Sequence, residues 1–154
     1  MIDINNESGQ PADEKRLVQL AAFAMEALHI NPEAELSIVL VDEETMSAYH
    51  EKFMGEPGPT DVLSFPMDEL RPGQPDEEPP MGVLGDIVLC PAVVDRQAKE
   101  GGRTSPQEAD YLLVHGLLHL LGFDHMEPSE KAVMFGVNDQ IIAAWEKRLG
   151  GAHV

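Results

Sequence analysis

The chain has 154 residues, 43% of them apolar, enough to bury a core as one domain over residues 1–154 and to exclude general disorder. Lys and Arg number 10 against 28 Asp and Glu, a formal net charge of -18. A surface this acidic repels nucleic acid and anionic membranes at long range, so no DNA or membrane partner is expected.

Residues 1–6 alternate Ile2 and Ile4 with polar residues and predict a short strand; no basic region precedes an apolar run there, so no secretory leader is expected. Asp13 predicts the cap of a first helix whose Leu17, Leu20, Ala21, Ala24 and Leu28 form one apolar face. His29, at its end, is expected in solvent beside the last carbonyls. Residues 36–41 are apolar and rich in β-branched side chains, which predicts a buried strand. Asp42 then caps a second helix through Thr45, Met46, Tyr49 and Phe53, with His50 on its surface. Residues 55–59 form a turn. Residues 60–66 predict a strand with Leu63 and Phe65 on one face and Val62 and Ser64 on the other.

Residues 67–81, rich in proline and acids, read as a solvated, mobile excursion between strands. Residues 83–90 predict a strand stopped by Pro91. Asp86 interrupts its apolar run. A buried carboxylate needs a specific partner, which makes Asp86 a candidate site residue; a solvent-facing strand end is the competing view. Cys90 is the only cysteine, forms no internal disulfide and fits a reducing cytoplasm as a small buried residue. Residues 93–100 predict a short helix ending at Gly101 and Gly102. Ser105, Pro106 and Glu108 read as a capping box with proline at the first helical position, opening a helix to about Leu121. Its apolar stretch, 111–123, is too short to span a membrane. Pro128 and Ser129 open a last helix with Met134, Val137, Ile141, Ala144 and Trp145 as its apolar face and Gly150 and Gly151 at its end. Trp145 is expected as a core anchor, and His153, in the tail, is not counted as a ligand.

His115 and His119, four apart, share one face of the helix that starts near Ser105. Gly122 can adopt the left-handed conformation that stops a helix, after which His125 can swing back toward the other two. Three neutral imidazoles converging on one point suit a divalent transition metal, zinc above all, one ion per chain. With three protein ligands the fourth position stays open to water, as in catalytic sites. Leu112, Leu113, Val114, Leu117, Leu118, Leu120 and Leu121 bury the helix on most sides. Unpartnered imidazoles are costly there, and a shared metal removes that cost.

The spacing of His115, His119, Gly122 and His125 is similar to the zinc helix of the metzincin proteases, H-E-x-x-H-x-x-G-x-x-H, but Gly116 stands where the general-base glutamate would be. The run from His115 to His125 (HGLLHLLGFDH), together with Thr60-Asp61-Val62-Leu63-Ser64-Phe65-Pro66 and Gly85-Asp86-Ile87, resembles the YbeY endoribonuclease family. The likeness covers nearly the whole chain. It implies an α+β architecture, a small mixed sheet flanked by helices, with a metzincin-like metal helix. It further implies a bacterial cytoplasmic, metal-dependent endoribonuclease acting in rRNA maturation, at the 3′ end of 16S rRNA, and in ribosome quality control. The family's metal-binding histidines carry over to His115, His119 and His125. His115 is also a candidate catalytic residue. Asp86 and Asp124 are candidates to orient a ligating imidazole by accepting its second N–H. The chain departs from the pattern at Met54, where many members carry arginine, and Phe123 replaces a frequent tyrosine.

An acidic chain and an RNA substrate are reconciled if the rRNA is presented on the small ribosomal subunit, where basic ribosomal proteins meet the acidic surface. Two other readings remain open to the sequence. One is a non-enzymatic ribosome assembly factor whose metal is structural. The other is a metzincin-like metallopeptidase with a carboxylate supplied from elsewhere.

Overall fold

The computed structural model describes residues 1–151, so His153 lies outside the described residues. In order, the elements are β1 (Ile2–Asn6), α1 (Glu14–Ala27), β2 (Glu35–Leu40), α2 (Glu43–Met54), β3 (Val62–Pro66), β4 (Val83–Leu89), α3 (Pro91–Glu100), α4 (Ser105–Leu120) and α5 (Pro128–Gly151). The strands form one four-stranded sheet in the order β1-β2-β4-β3. β1, β2 and β4 run parallel, aligning Ile4 with Ile38 and Ile38 with Ile87. β3 is antiparallel to β4, with Ser64 opposite Ile87, and forms one edge. This is the α+β arrangement expected: a small mixed sheet flanked by helices.

Strand alternation sends Leu36, Ile38, Leu40, Ile87 and Leu89 to the face covered by α1, α4 and α5. There they meet Leu20 and Ala24 of α1, Leu113 and Leu117 of α4, and Trp145 of α5. Trp145 is buried with its ring centroid 5.4 Å from that of Phe23, as a core anchor should be. The opposite face carries a smaller cluster in which Leu63, Val88 and Cys90 pack with Met46 of α2 and Val93 of α3. Arg16 crosses from α1 to pair with the buried Asp110 of α4. Among the described residues no helix is long and apolar enough to cross a membrane.

The caps follow the short polar side chains. Asp13 accepts from the Arg16 N–H at 3.2 Å, and Asp42 from the Thr45 N–H at 2.8 Å. On α4 the capping box sits one residue earlier than expected. Thr104 is the cap, its Oγ1 accepting from the Gln107 N–H at 3.2 Å while Gln107 Oε1 accepts from the Thr104 N–H at 3.0 Å. A threonine hydroxyl with glutamine three residues on satisfies the same orphan donors as the serine–glutamate pair.

Three further expectations change. The 67–81 segment is not a free excursion. Gly73 donates to the Leu28 carbonyl, Asn31 to the Pro80 carbonyl and Val83 to Asp68 Oδ2, and Arg71 reaches the Leu121 carbonyl at 3.5 Å. His29 is part of that tether: at φ +56° it ends α1, and its Nε2 donates to the Glu77 carbonyl at 2.9 Å. On α5 the inward stripe is Met134, Asn138, Ile141 and Trp145, while Ala144 is exposed. These recur at i, i+4, i+7 and i+11; the amide of the buried Asn138 donates to the Tyr111 carbonyl at 3.5 Å, while its Oδ1 has no partner among the described residues.

Candidate metal centre

The site begins with the contact between α4 and the β3 edge. A Cβ at Gly116 would lie 3.0 Å from Ile87 Cγ2 and 3.1 Å from Ser64 Oγ. Glycine lets the helix lie this close to the sheet without displacing either side chain, and Ser64 Oγ donates to the Gly116 carbonyl at 3.0 Å. With Gly116 against the strands, His115 and His119 open onto the cavity at the sheet edge.

The helix then stops as the sequence predicts. Gly122 takes φ +90°, a region that side chains with a Cβ rarely enter. The turn directs the Phe123 carbonyl back to His119 Nδ1 at 3.0 Å. A carbonyl only accepts, so His119 carries its proton on Nδ1 and leaves the Nε2 lone pair free. That lone pair lies 3.2 Å from His115 Nε2. Two nitrogens on one tetrahedral zinc, each at 2.0–2.1 Å, stand roughly 3.3 Å apart. His125 completes the group, and the ligand atoms of all three lie within 4.8 Å of one another. The donor type of all three and the tautomer of His119 suit a divalent metal ion, which His115, His119 and His125 would hold.

These imidazoles open on a cavity of about 710 Å³. Asp61, Ser64 and Phe65 form its strand-side wall, and Tyr111 and Phe135 lie against the histidine side. His50 and Met54 of α2 close the far side.

Burial, then the charges of His119 and His125, holds His115 well below its ordinary value of 6.5, at about 4. Burial followed by the His125 charge lowers His119 as well, against the Phe123 carbonyl and Asp124. At neutral pH both rings are thus in the form that ligates metal. Below pH 6.5 the unfolded chain takes up a proton that native His115 refuses until about pH 4, so its contribution to stability is full above 6.5 and lost across that window. In chelator, the urea midpoint of wild type relative to His115→Asn is expected to fall as pH drops from 7.5 to 4.5; a constant difference would refute it.

Asp124 lines the same cavity, but its Oδ1 accepts the backbone N–H of His125 at 2.7 Å. It fixes the turn that carries His125, and the second N–H of His119 goes to the Phe123 carbonyl instead. A main-chain oxygen does this work, so phenylalanine in place of tyrosine at 123 does not disturb it. Asp86 is not brought to the site. Its neighbour Ile87 faces α4, so Asp86 lies on the opposite face of β4, where it is exposed. The expected role for Asp86 beside the histidines is therefore withdrawn, and the solvent-facing alternative describes it.

Sequence reasoning placed His50 on the surface. Instead it faces the cavity, its Nδ1 donating to the Gly58 carbonyl at 2.9 Å and its Nε2 lying 3.3 Å from Glu56. Its spacing of four from Met54 was the available clue, as was that of Tyr111 from His115. For Asp61 the clue was its place in the 60–66 motif; Phe135 had none, because α5 approaches the site only in the folded chain.

The family model described as Endoribonuclease YbeY matches residues 3–146. Proteins named Endoribonuclease YbeY from Cutibacterium acnes and Thermobifida fusca are 70% and 54% identical to this chain. The alignments cover 95% and 96% of this chain and 94% and 96% of those relatives. The solution structure of a Thermotoga maritima protein, 26% identical, superposes with a TM-score of 0.66 over 96% of this chain and 93% of that one. With its histidine turn and its edge strand both inside the matched region, the chain belongs to the YbeY endoribonuclease family.

Proposed function

We propose that this chain is a zinc-dependent endoribonuclease cleaving single-stranded rRNA, in maturation of the 16S 3′ end and in ribosome quality control. It would work as one cytoplasmic domain, residues 1–154, with one zinc ion. The convergence of His115, His119 and His125 on the wall of an open cavity carries the reading. The names of the relatives supply the substrate class.

Zinc held there would polarise a scissile phosphate and acidify a water beside it. The chain's own residues do the rest. Neutral imidazoles would cancel none of the ion's charge, which would offset the Asp61 and Asp124 carboxylates of the cavity wall and let a phosphate approach on an acidic protein. The Phe123 carbonyl keeps the His119 ring in one orientation and one tautomer. Asp61 and Asp124 are carboxylates on the cavity wall, able to accept a proton from water. Gly116 stands where the metzincin glutamate would be, and a side chain there would crowd Ile87, Ser64 and Val62, which weighs against the peptidase reading.

A net charge of -18 makes binding to free RNA weak, so the substrate is proposed to arrive on the small ribosomal subunit. The test is cleavage of a 16S 3′ precursor, free and within particles, before and after chelation. Expected are cleavage in particles, loss with chelator, recovery with zinc, and co-sedimentation with small subunits rather than free rRNA. Stoichiometric zinc without cleavage, and unfolding on chelation, would support the assembly-factor reading instead.

A further inference from the structure

We infer that Phe53 and Tyr49, on the last turns of α2, form a stacking platform for an unpaired base of the RNA beside the histidine centre. The inference rests on the nuclease reading above. Phe53 is 52% exposed and Tyr49 36%, large for aromatic rings on a helix that packs against the sheet. The rings are nonetheless held in place. Phe53 meets Phe65 edge to face with centroids 5.1 Å apart, and Tyr49 lies 6.2 Å from Phe53 and 6.4 Å from Phe65. A ring braced in this way loses little conformational entropy when a flat partner settles on it.

The cluster is continuous with the cavity. Phe65 is part of the cavity wall, and so are His50 and Met54 on the same turns of α2. A strand leaving the histidines past Met54 and Phe65 meets Phe53 next. The occupant follows from that continuity: RNA entering the cavity brings a base within reach of the rings, and single-strand sites pair stacking aromatics with a cation that meets the backbone. Lys52, in the last turn of α2, has its Nζ 5.2 Å from the Phe53 ring centroid and is the cation for the phosphate of a nucleotide stacked there. Glu43 and Glu44 lie at the far end of the helix, in its first turn.

The probe is an eight-nucleotide single-stranded RNA carrying 2-aminopurine, titrated with zinc-loaded protein on ice, its integrity checked afterwards. At low salt and high protein concentration, wild type is expected to bind it weakly and quench its fluorescence. Phe53→Leu keeps an apolar side chain but no ring, and should bind at least five-fold more weakly, the low end of what one base stack contributes. Phe53→Tyr should bind like wild type. Thermal melts establish that both variants fold. Unchanged affinity and quenching in Phe53→Leu would overturn the platform while leaving the nuclease reading intact. Loss of co-sedimentation with small subunits in Phe53→Leu, with RNA binding unchanged, would assign the patch to a protein partner and likewise overturn it. Absence of quenching by wild type at low salt would overturn the platform, and absence of RNA cleavage and binding in particles as well would overturn the nuclease reading.

Discussion

His119→Ala is expected to reduce RNA cleavage by about 10³-fold or more, because the several kcal/mol a catalytic metal contributes is lost at 1.36 kcal/mol per decade. His119 is the ligand with both ring nitrogens assigned: Nδ1 donates to the Phe123 carbonyl, and Nε2 faces His115 Nε2 at 3.2 Å. Removing it leaves two ligands on separate segments, His115 on α4 and His125 beyond the Gly122 turn. Zinc stoichiometry by mass spectrometry should fall below one per chain in parallel with activity. Circular dichroism should still show the helices, since the core of α4 consists of Leu113, Leu117, Leu118 and Leu120 rather than the histidines. Full cleavage by a folded, zinc-free His119→Ala protein would remove the metal from the mechanism.

Gly116→Glu, which completes the metzincin pattern, is expected to destabilise the protein strongly instead of creating a peptidase. The new Cβ would meet Ile87 Cγ2 at 3.0 Å, Ser64 Oγ at 3.1 Å and Val62 Cγ2 at 3.4 Å. Gly116→Ala alone should cost about 1–3 kcal/mol for overpacking. A glutamate adds the burial of an unpartnered carboxylate, about 1–3 kcal/mol more on mutational scales. Together these, about 2–6 kcal/mol, remove a large share of the stability of an ordinary domain, roughly 5–15 kcal/mol. Urea midpoints should fall in the order wild type, Gly116→Ala, Gly116→Glu, and a peptide-library digest should remain blank. A Gly116→Glu protein of wild-type stability that cut peptides would revive the peptidase reading.

The features read correctly from the sequence are those governed by contacts within about four residues. Asp13 and Asp42 cap helices because a short carboxylate reaches the N–H three residues ahead. His115 and His119 share a face because a helix turns every 3.6 residues, and Gly122 ends that helix because φ +90° suits glycine. The family motifs added the mixed sheet, which no local rule supplies. Even locally, the Thr104 cap was missed by one residue, since Thr104 with Gln107 and Ser105 with Glu108 offer nearly the same donors and acceptors.

Tertiary structure decided which side each element presents. Asp86 looked like a site residue because an apolar strand does not reveal which face its one carboxylate takes. Pairing with β2 and β3 put Ile87 toward α4 and so turned Asp86 away. His50, Asp61 and Phe135 come from α2, the β3 segment and α5, and meet the histidines only because β3 lies at the sheet edge beside α4. The 67–81 segment reads as free by composition, yet backbone bonds to Leu28, Asn31 and Val83 tie it down. By itself, then, the sequence determined the helix that carries His115 and His119 and the turn that returns His125 to them, because periodicity and chirality act along the chain. The cavity around them required the sheet, because contacts between segments distant in sequence depend on strand order and register, and no short window encodes either.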